Sequence, residues 1–172
     1  MKISKYLEQS PVFAINSAYE ATIPSLNRRL KKEDVNLLQG LVLTALFFEA
    51  RSDLTPSMLA QQFKTSRGNM SHIISHLEYK GWVKRILDPK DARKFYIELK
   101  PDGKKKALSL IKIYDQIQNI FEKELGSANC QKTSTMILRL VNAVEKSSFK
   151  SLPWSCISPS LEATVQVLDT AF

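Results

Sequence analysis

Between Ser66 and Tyr79 the chain interleaves Ser66, Arg67, Gly68, Asn69, Ser71, His72, Ser75 and His76 with the apolar residues Met70, Ile73, Ile74 and Leu77, and no acid occurs until Glu78. A second polar group follows at Arg85, Lys90, Asp91, Arg93 and Lys94. Residues 64–106 hold twelve Lys/Arg against five Asp/Glu, which is +7 of the chain's net +8. The flanks, residues 1–63 and 107–172, are nearly balanced. So local an excess is the electrostatic footprint of a surface that meets a polyanion. Taken alone, the same charge is also what a solvated basic face carries. The residue types narrow the choice: Lys and Arg contact phosphates, while Arg67, Asn69, Ser71 and His72 suit the edges of bases. Arg93 is a candidate for a minor groove, whose negative potential attracts a guanidinium; its alternative is a silent surface pair with Asp91.

Other chemistries find little support. His72 and His76 lie four apart, but no HExxH pattern or neighbouring cysteine completes a metal ligand set. Cys130 and Cys156 are too few for a disulfide framework and have no cluster of cations beside them to activate a thiol, so inert packing in a reducing cytoplasm is expected. No glycine-rich phosphate loop, nucleophile elbow or zinc motif occurs, and the chain is not expected to be an enzyme or to carry a cofactor. No apolar run approaches the roughly 18 residues of a membrane span, and the opening Met1–Glu8 has no apolar signal core, so a soluble cytoplasmic protein is expected.

The elements that must position these residues follow from hydrophobic spacing. Val12, Ile15, Tyr19, Ile23, Leu26 and Leu30 recur at three and four, predicting a helix over Pro11–Leu30 with a kink or break at Pro24. Asn36–Ala50 is apolar on nearly every side and reads as a buried central helix. Thr55-Pro56 caps a short helix to Phe63 with Met58, Leu59 and Phe63 inward. Ser66 caps the next, whose stripe Met70, Ile73, Ile74, Leu77 ends near Gly81. Gly68 costs that helix about 1 kcal/mol relative to alanine, which is understandable if a backbone approaches DNA closely; proximity to the cap is the alternative. Trp82–Leu87 and Phe95–Leu99 read as strands around a charged loop, Asp88–Arg93. Helix, turn, helix and basic hairpin is the order of a winged helix-turn-helix, whose second helix enters the major groove.

The runs Leu54-Thr55-Pro56-Ser57-Met58-Leu59-Ala60, Ser66-Arg67-Gly68-Asn69-Met70-Ser71, Leu77-Glu78-Tyr79-Lys80-Gly81-Trp82-Val83-Lys84-Arg85 and Asp88-Pro89-Lys90-Asp91-Ala92-Arg93 resemble the multiple-antibiotic-resistance regulator (MarR) family over roughly residues 11–147. The wing is the most specific part: Asp91-x-Arg93 matches an acid-x-arginine pair in which the arginine enters the minor groove and the acid orients it. The resemblance implies a homodimeric bacterial transcription factor, usually a repressor released by a small ligand. Ala92 stands where many members carry a further arginine, Gly68 where many carry Ser or Thr, and residues 148–172 extend past the usual end.

Past the wing, Ala107, Leu110, Ile111, Tyr114, Ile117, Phe121 and Leu125 keep helical spacing from Pro101 to Gly126, and a last helix carries Met136, Ile137, Leu140, Val141 and Val144. At about 1.5 Å per residue the first of these outruns a small winged domain, so it needs a partner. A second copy would place two recognition helices about one DNA turn apart; an intramolecular bundle is the alternative. The expected architecture is mainly α with a small β-hairpin wing: a dimerisation helix over 1–34, the winged helix-turn-helix over 35–100, dimerisation helices over 101–147, and a 148–172 tail holding a linker and a short helix. Phe13, Tyr19, Phe47, Phe48 and Trp82 are available to line an apolar pocket for a small aromatic or anionic effector, or they are plain core. The expected partners are double-stranded DNA, a second copy and that effector, with no membrane. The competing reading is a winged-helix module that contacts a protein without specific DNA binding.

Overall fold

The structure is a computed structural model that describes residues 3–49, 54–91 and 93–147. The expected tail helix and Cys156 lie outside the described residues, as does Ala92. Seven helices and one hairpin are present among the described residues: α1 Ile3–Gln9, α2 Pro11–Lys32, α3 Leu37–Glu49, α4 Pro56–Gln62, α5 Arg67–Tyr79, β1 Val83–Leu87, β2 Phe95–Leu99, α6 Pro101–Leu125 and α7 Ser127–Lys146. The mainly α fold with a β-hairpin wing is therefore as the sequence predicts. Helix α1 was not anticipated: it is only 7 residues long and buries none of them.

Of the kink or break expected at Pro24, the break does not occur, since α2 runs through it. Pro24 and Glu20 both sit on the exposed side, where water can replace the missing backbone donor. Packing holds the helix beyond that point, with Leu26 and Leu30 buried, while Val12 and Tyr19 of the predicted stripe remain exposed. In α3, Gly40, Val42, Leu43 and Leu46 are buried, but Phe48 is 68% exposed and is not core. Thr55 Oγ1 accepts from the Met58 amide at 3.2 Å, capping α4 as expected. Leu59 and Ala60 turn inward, whereas Met58, expected to do so, is exposed. On a two-turn helix only one narrow stripe meets the core, and Leu59 and Ala60 occupy it.

Ser66 Oγ accepts from the Asn69 amide at 3.1 Å and starts α5. The whole predicted stripe of α5, Met70, Ile73, Ile74 and Leu77, is buried. Gly81, at φ +72°, ends the helix: its amide bonds to Glu78 O at 2.9 Å and that of Trp82 to Leu77 O at 3.0 Å, the paired bonds of a left-handed helix stop. β1 and β2 pair antiparallel with Arg85 opposite Ile97, and the first strand begins at Val83 rather than Trp82. On the far edge of β2 the Ile97 amide donates to Leu54 O at 2.9 Å, which ties the chain before α4 to the sheet.

One core gathers Leu26, Leu30, Leu43, Leu59, Met70, Ile74, Leu77, Val83, Ile97, Ala107 and Leu110. It thus takes in residues of α2 and α6 as well as of the 35–100 segment. The start of α6 is pinned by the Lys100 amide, which donates to Trp82 O at 2.9 Å. Gly103 then lies so close that a Cβ there would overlap the same Trp82 carbonyl. Lys106 reaches back to Glu33 at 2.9 Å and lies over the Trp82 ring, 5.2 Å from its centroid. That ammonium holds the Glu33 carboxyl below its ordinary value.

The described residues form two compact units, one from Ala18 to Asn119 and a second made of those up to Ser17 and from Ile120 onward. In the second, Tyr6 and Phe13 meet edge to face at 6.0 Å and Cys130 is buried with a free thiol. Helix α7 leaves Met136, Ile137, Leu140, Val141 and Val144 exposed, as α6 leaves Phe121 and Leu125.

Two glycines on different helices should respond in opposite senses. Gly103→Ala forces the α6 start off Trp82 and should destabilise by about 1–3 kcal/mol, an overpacking cost. Gly68→Ala meets nothing nearer than Ser66 Oγ at 4.0 Å, so better helix propensity should stabilise by up to about 1 kcal/mol. Thermal or urea unfolding checks both, and a Gly103→Ala chain as stable as the parent would refute the close approach.

Candidate nucleic-acid interface

Burial of the α5 stripe fixes which residues face out. Ser66, Arg67, Gly68, Asn69, Ser71, His72 and Ser75 are exposed, and no acid interrupts them. Asn69 Nδ2 donates to Thr65 Oγ1 at 2.8 Å, which holds its amide at the helix start. His76 departs from expectation. It is half-buried and lines a small recess with Lys31, Asp34, Asn36 and Gln39, on the flank of α5 rather than its outward face. The helical period explains this, because residue 76 falls between the outward direction of residue 72 and the flank of Lys80. Lys80 in turn pairs with Asp34, whose carboxyl it holds below the ordinary value.

The wing tip is built by two aspartates. Asp88 Oδ1 accepts from the Lys90 amide at 2.8 Å, and the Tyr96 hydroxyl donates to Asp88 Oδ2. Asp91 Oδ1 accepts from both the amide and Nε of Arg93, at 3.1 and 3.2 Å. The Lys94 ammonium stands 3.7 Å from the other Asp91 oxygen. The Arg93 side chain is nevertheless 92% exposed. Asp91 therefore aims a guanidinium that is otherwise presented to solvent. These bonds depress both carboxyls: Asp91 through the Arg93 amide first and its guanidinium second, Asp88 through the Tyr96 hydroxyl first and the Lys90 amide second. Lys90 and Lys94 are exposed beside them. Arg93 and Lys94 also border a recess of about 300 Å³ with Thr55, Pro56, Ser57 and Phe95, so the tip loop where it enters β2 and the α4 start share one hollow.

Arg85 is the second departure. Its guanidinium is not held out with the wing cations but bonds Glu78 Oε2 at 2.5 Å and Ser75 Oγ at 2.8 Å, and lies over the Phe95 ring. Glu78 was passed over in the sequence as the acid that ends the basic run. Its position seven residues before Arg85 was the available signal, but only folding the strand back onto α5 gives that spacing meaning.

The five aromatic residues considered for an effector pocket have different surroundings. Phe47 and Trp82 pack against the core; Phe13, Tyr19 and Phe48 are exposed. Among the described residues no group of three or more His, Cys, Asp or Glu could hold a metal ion, and no helix is long and apolar enough to cross a membrane.

Two helices joined by a tight turn, followed by a two-stranded wing, define a winged helix-turn-helix. Residues 34–94 match the family model described as MarR family. The multiple antibiotic resistance protein MarR of Salmonella typhimurium is 30% identical over 78 residues, 45% of this chain and 53% of that protein. The chain thus spans about half the length of the curated relatives it matches. Among solved structures, Staphylococcus aureus MepR in complex with DNA superposes with a TM-score of 0.70 at 18% identity, covering 78% of this chain and 98% of that one. A cysteine-to-serine mutant of MarR from E. coli gives 0.61 at 20% identity, covering 77% and 96%. The family match is confined to the winged helix-turn-helix, residues 34–94, and the solved structures share its fold.

The wing tip should be insensitive to pH near neutrality and loosen in acid. A carboxyl whose folded value lies below its unfolded one stabilises the fold above the unfolded value, 3.8 for aspartate, and that contribution is lost as the pH falls through the folded value. NMR titration of the side-chain carboxyls should place Asp88 and Asp91 below 3.8. Tyr96→Phe should move Asp88 upward and leave Asp91 little changed; the same midpoint for Asp88 in both proteins would contradict the assignment.

Proposed function

We propose that the chain is a homodimeric, sequence-specific DNA-binding transcriptional regulator, a repressor whose hold on DNA is loosened by a small aromatic or anionic ligand. The observation that carries the reading is the acid-free outer face of α5 in the same folded unit as a wing whose Arg93 is exposed and aimed by Asp91. The MepR chain of like fold was solved on DNA. In this reading α5 enters the major groove, Arg67, Asn69, Ser71 and His72 contact base edges, and Lys90 and Lys94 hold phosphates while Arg93 enters the minor groove. Gly68, open toward solvent, lets the helix backbone come close to the duplex. Ser66 caps the helix and lies at the phosphate line, and Ser75 marks the far end of the face. His76 and Arg85 are withdrawn from direct reading by their positions.

The dimer reading rests on the uncovered apolar side chains of α6 and α7, which an isolated chain would leave in water. Homodimerisation by residues 1–34 and 101–147 would bury them and set two α5 helices on successive major grooves. A ligand can act only by binding one lobe spacing better than another, and saturating operator DNA must then change its affinity by the same factor by which it changes DNA affinity. The place of action is the cytoplasm, with the DNA.

Fluorescence titration of duplex DNA tests this reading. Affinity should fall steeply with added salt, because the cations displace condensed counterions. Arg93→Ala should weaken binding wherever the minor groove is narrow, whereas Asn69→Ala or His72→Ala should cost about 1–3 kcal/mol and alter base preference. Affinity flat across salt, or equal and sequence-blind losses for all three, would favour a winged-helix module that contacts protein instead.

A further inference from the structure

Arg85 is a cation in the most basic part of the chain, yet the fold spends it internally. In the register, Arg85 faces Ile97, and the Ile97 amide is used outward on Leu54 O. Arg85 and Ile97 are therefore a pair that exchanges no backbone hydrogen bonds, and the Arg85 amide points to the free edge of β1. Glu78 Oε1 meets it there at 3.2 Å. The same carboxylate takes the Arg85 guanidinium through Oε2, and Ser75 Oγ takes the other terminal nitrogen. Phe95 of the opposing strand lies 5.3 Å beneath the guanidinium carbon. One acid on α5 thus binds both the backbone and the side chain of one wing residue, and the side chain is braced from the second strand. The side chains of Arg85 and Glu78 are only 30% and 36% exposed. Two polar groups so placed keep their geometry far better than a surface pair between flexible side chains.

We propose that Arg85, Glu78 and Ser75 form a clasp that sets the wing against the recognition helix, so that Arg85 is a positioning residue for groove recognition and not a ligand of DNA. The proposal rests on the DNA-binding reading above. Its physical content is geometric: α5 and the wing tip reach different grooves, so a change in their mutual angle misplaces Arg93 whenever α5 is seated. Pure electrostatics makes the contrary prediction, because replacing Glu78 with a cation would add positive charge next to the duplex and tighten binding.

A charge-reversal cycle separates the two. Binding of a fluorescein-labelled duplex is measured for Glu78→Arg, Arg85→Glu and the double reversal, each checked for folding by circular dichroism. The clasp predicts that Glu78→Arg weakens binding by about tenfold or more in spite of its added charge, that Arg85→Glu does the same, and that the double reversal recovers most of the loss. Tighter binding by Glu78→Arg, or a double reversal no better than Arg85→Glu, overturns the proposal. Amide hydrogen exchange without DNA gives a second readout that survives a poorly folding reversal: in Glu78→Gln the Arg85 amide should exchange faster while those of Lys84 and Ile86, bonded to β2, keep their protection. An unchanged Arg85 amide would show that no clasp exists. Failure of the parent chain to bind any duplex would overturn the DNA-binding reading and the positioning role with it, while the exchange result still decides whether the clasp forms.

Discussion

Met70, Ile73, Ile74 and Leu77 are buried to 5% exposure or less on one side of α5, and the remainder of the winged unit is arranged around that contact. Each such side chain contributes on the order of 1.5–3 kcal/mol when removed from water, an upper figure because the unfolded chain is itself partly compact. Rotating α5 by even one residue's angle would withdraw part of the stripe and bring Ser71 or Ser75 into the core without partners. The rotational setting of the helix is therefore fixed by apolar burial, and the outward display of Arg67, Asn69 and His72 follows from it. The polar face need not be held residue by residue, because the apolar face holds it.

What burial leaves undetermined is the position of the wing, and local polar geometry supplies it. The left-handed stop at Gly81 reverses the chain after α5, and the carbonyl of Trp82 receives the amide of Lys100 as α6 begins. Gly103 permits α6 to lie directly on that peptide. Further out, Asp88 and Asp91 each accept backbone amides of the tip, which gives a short exposed loop a defined shape without apolar cover. Ionised aspartates suit this work, since a carboxylate accepts several donors at once. The same ionisation keeps Asp91 beside Arg93, so the group that shapes the loop also orients its most exposed cation.

The basic character of the segment is less uniform than its composition suggests. Lys80, Lys84, Arg85 and Lys106 are paired with Asp34, Glu98, Glu78 and Glu33. Arg93 and Lys94 share Asp91 yet remain exposed. The basic segment therefore holds both cations that tie elements together and cations that face solvent, Arg67 on α5 and Arg93 and Lys94 at the wing tip among them, and a count of residues cannot tell one kind from the other. A field of several kT needs only the summed charge; a contact needs the free group.

The sequence by itself determined nearly every element of the winged unit, and the reason is local. The caps at Thr55 and Ser66, the stop at Gly81, the four-residue stripe of α5 and the alternation Phe95, Ile97, Leu99 each lie within a few residues of the structure they produce, so spacing and residue type suffice. The Asp91-x-Arg93 pair was singled out through the family resemblance, and the two residues are hydrogen-bonded neighbours. Tertiary structure decided what depends on residues far apart in the chain. Pro24 is tolerated because packing by Leu26 and Leu30 continues past it; Met58 lies outside because Leu59 and Ala60 take the short stripe; His76 turns toward Asp34; Gly103 matters only because the Trp82 carbonyl arrives against it. Arg85 is the clearest case, since its charge reads as an external contact until the hairpin folds back and sets it against Glu78 and Ser75. Charge and period are properties of a segment, but whether a side chain is free to act is settled by what the rest of the chain brings to it.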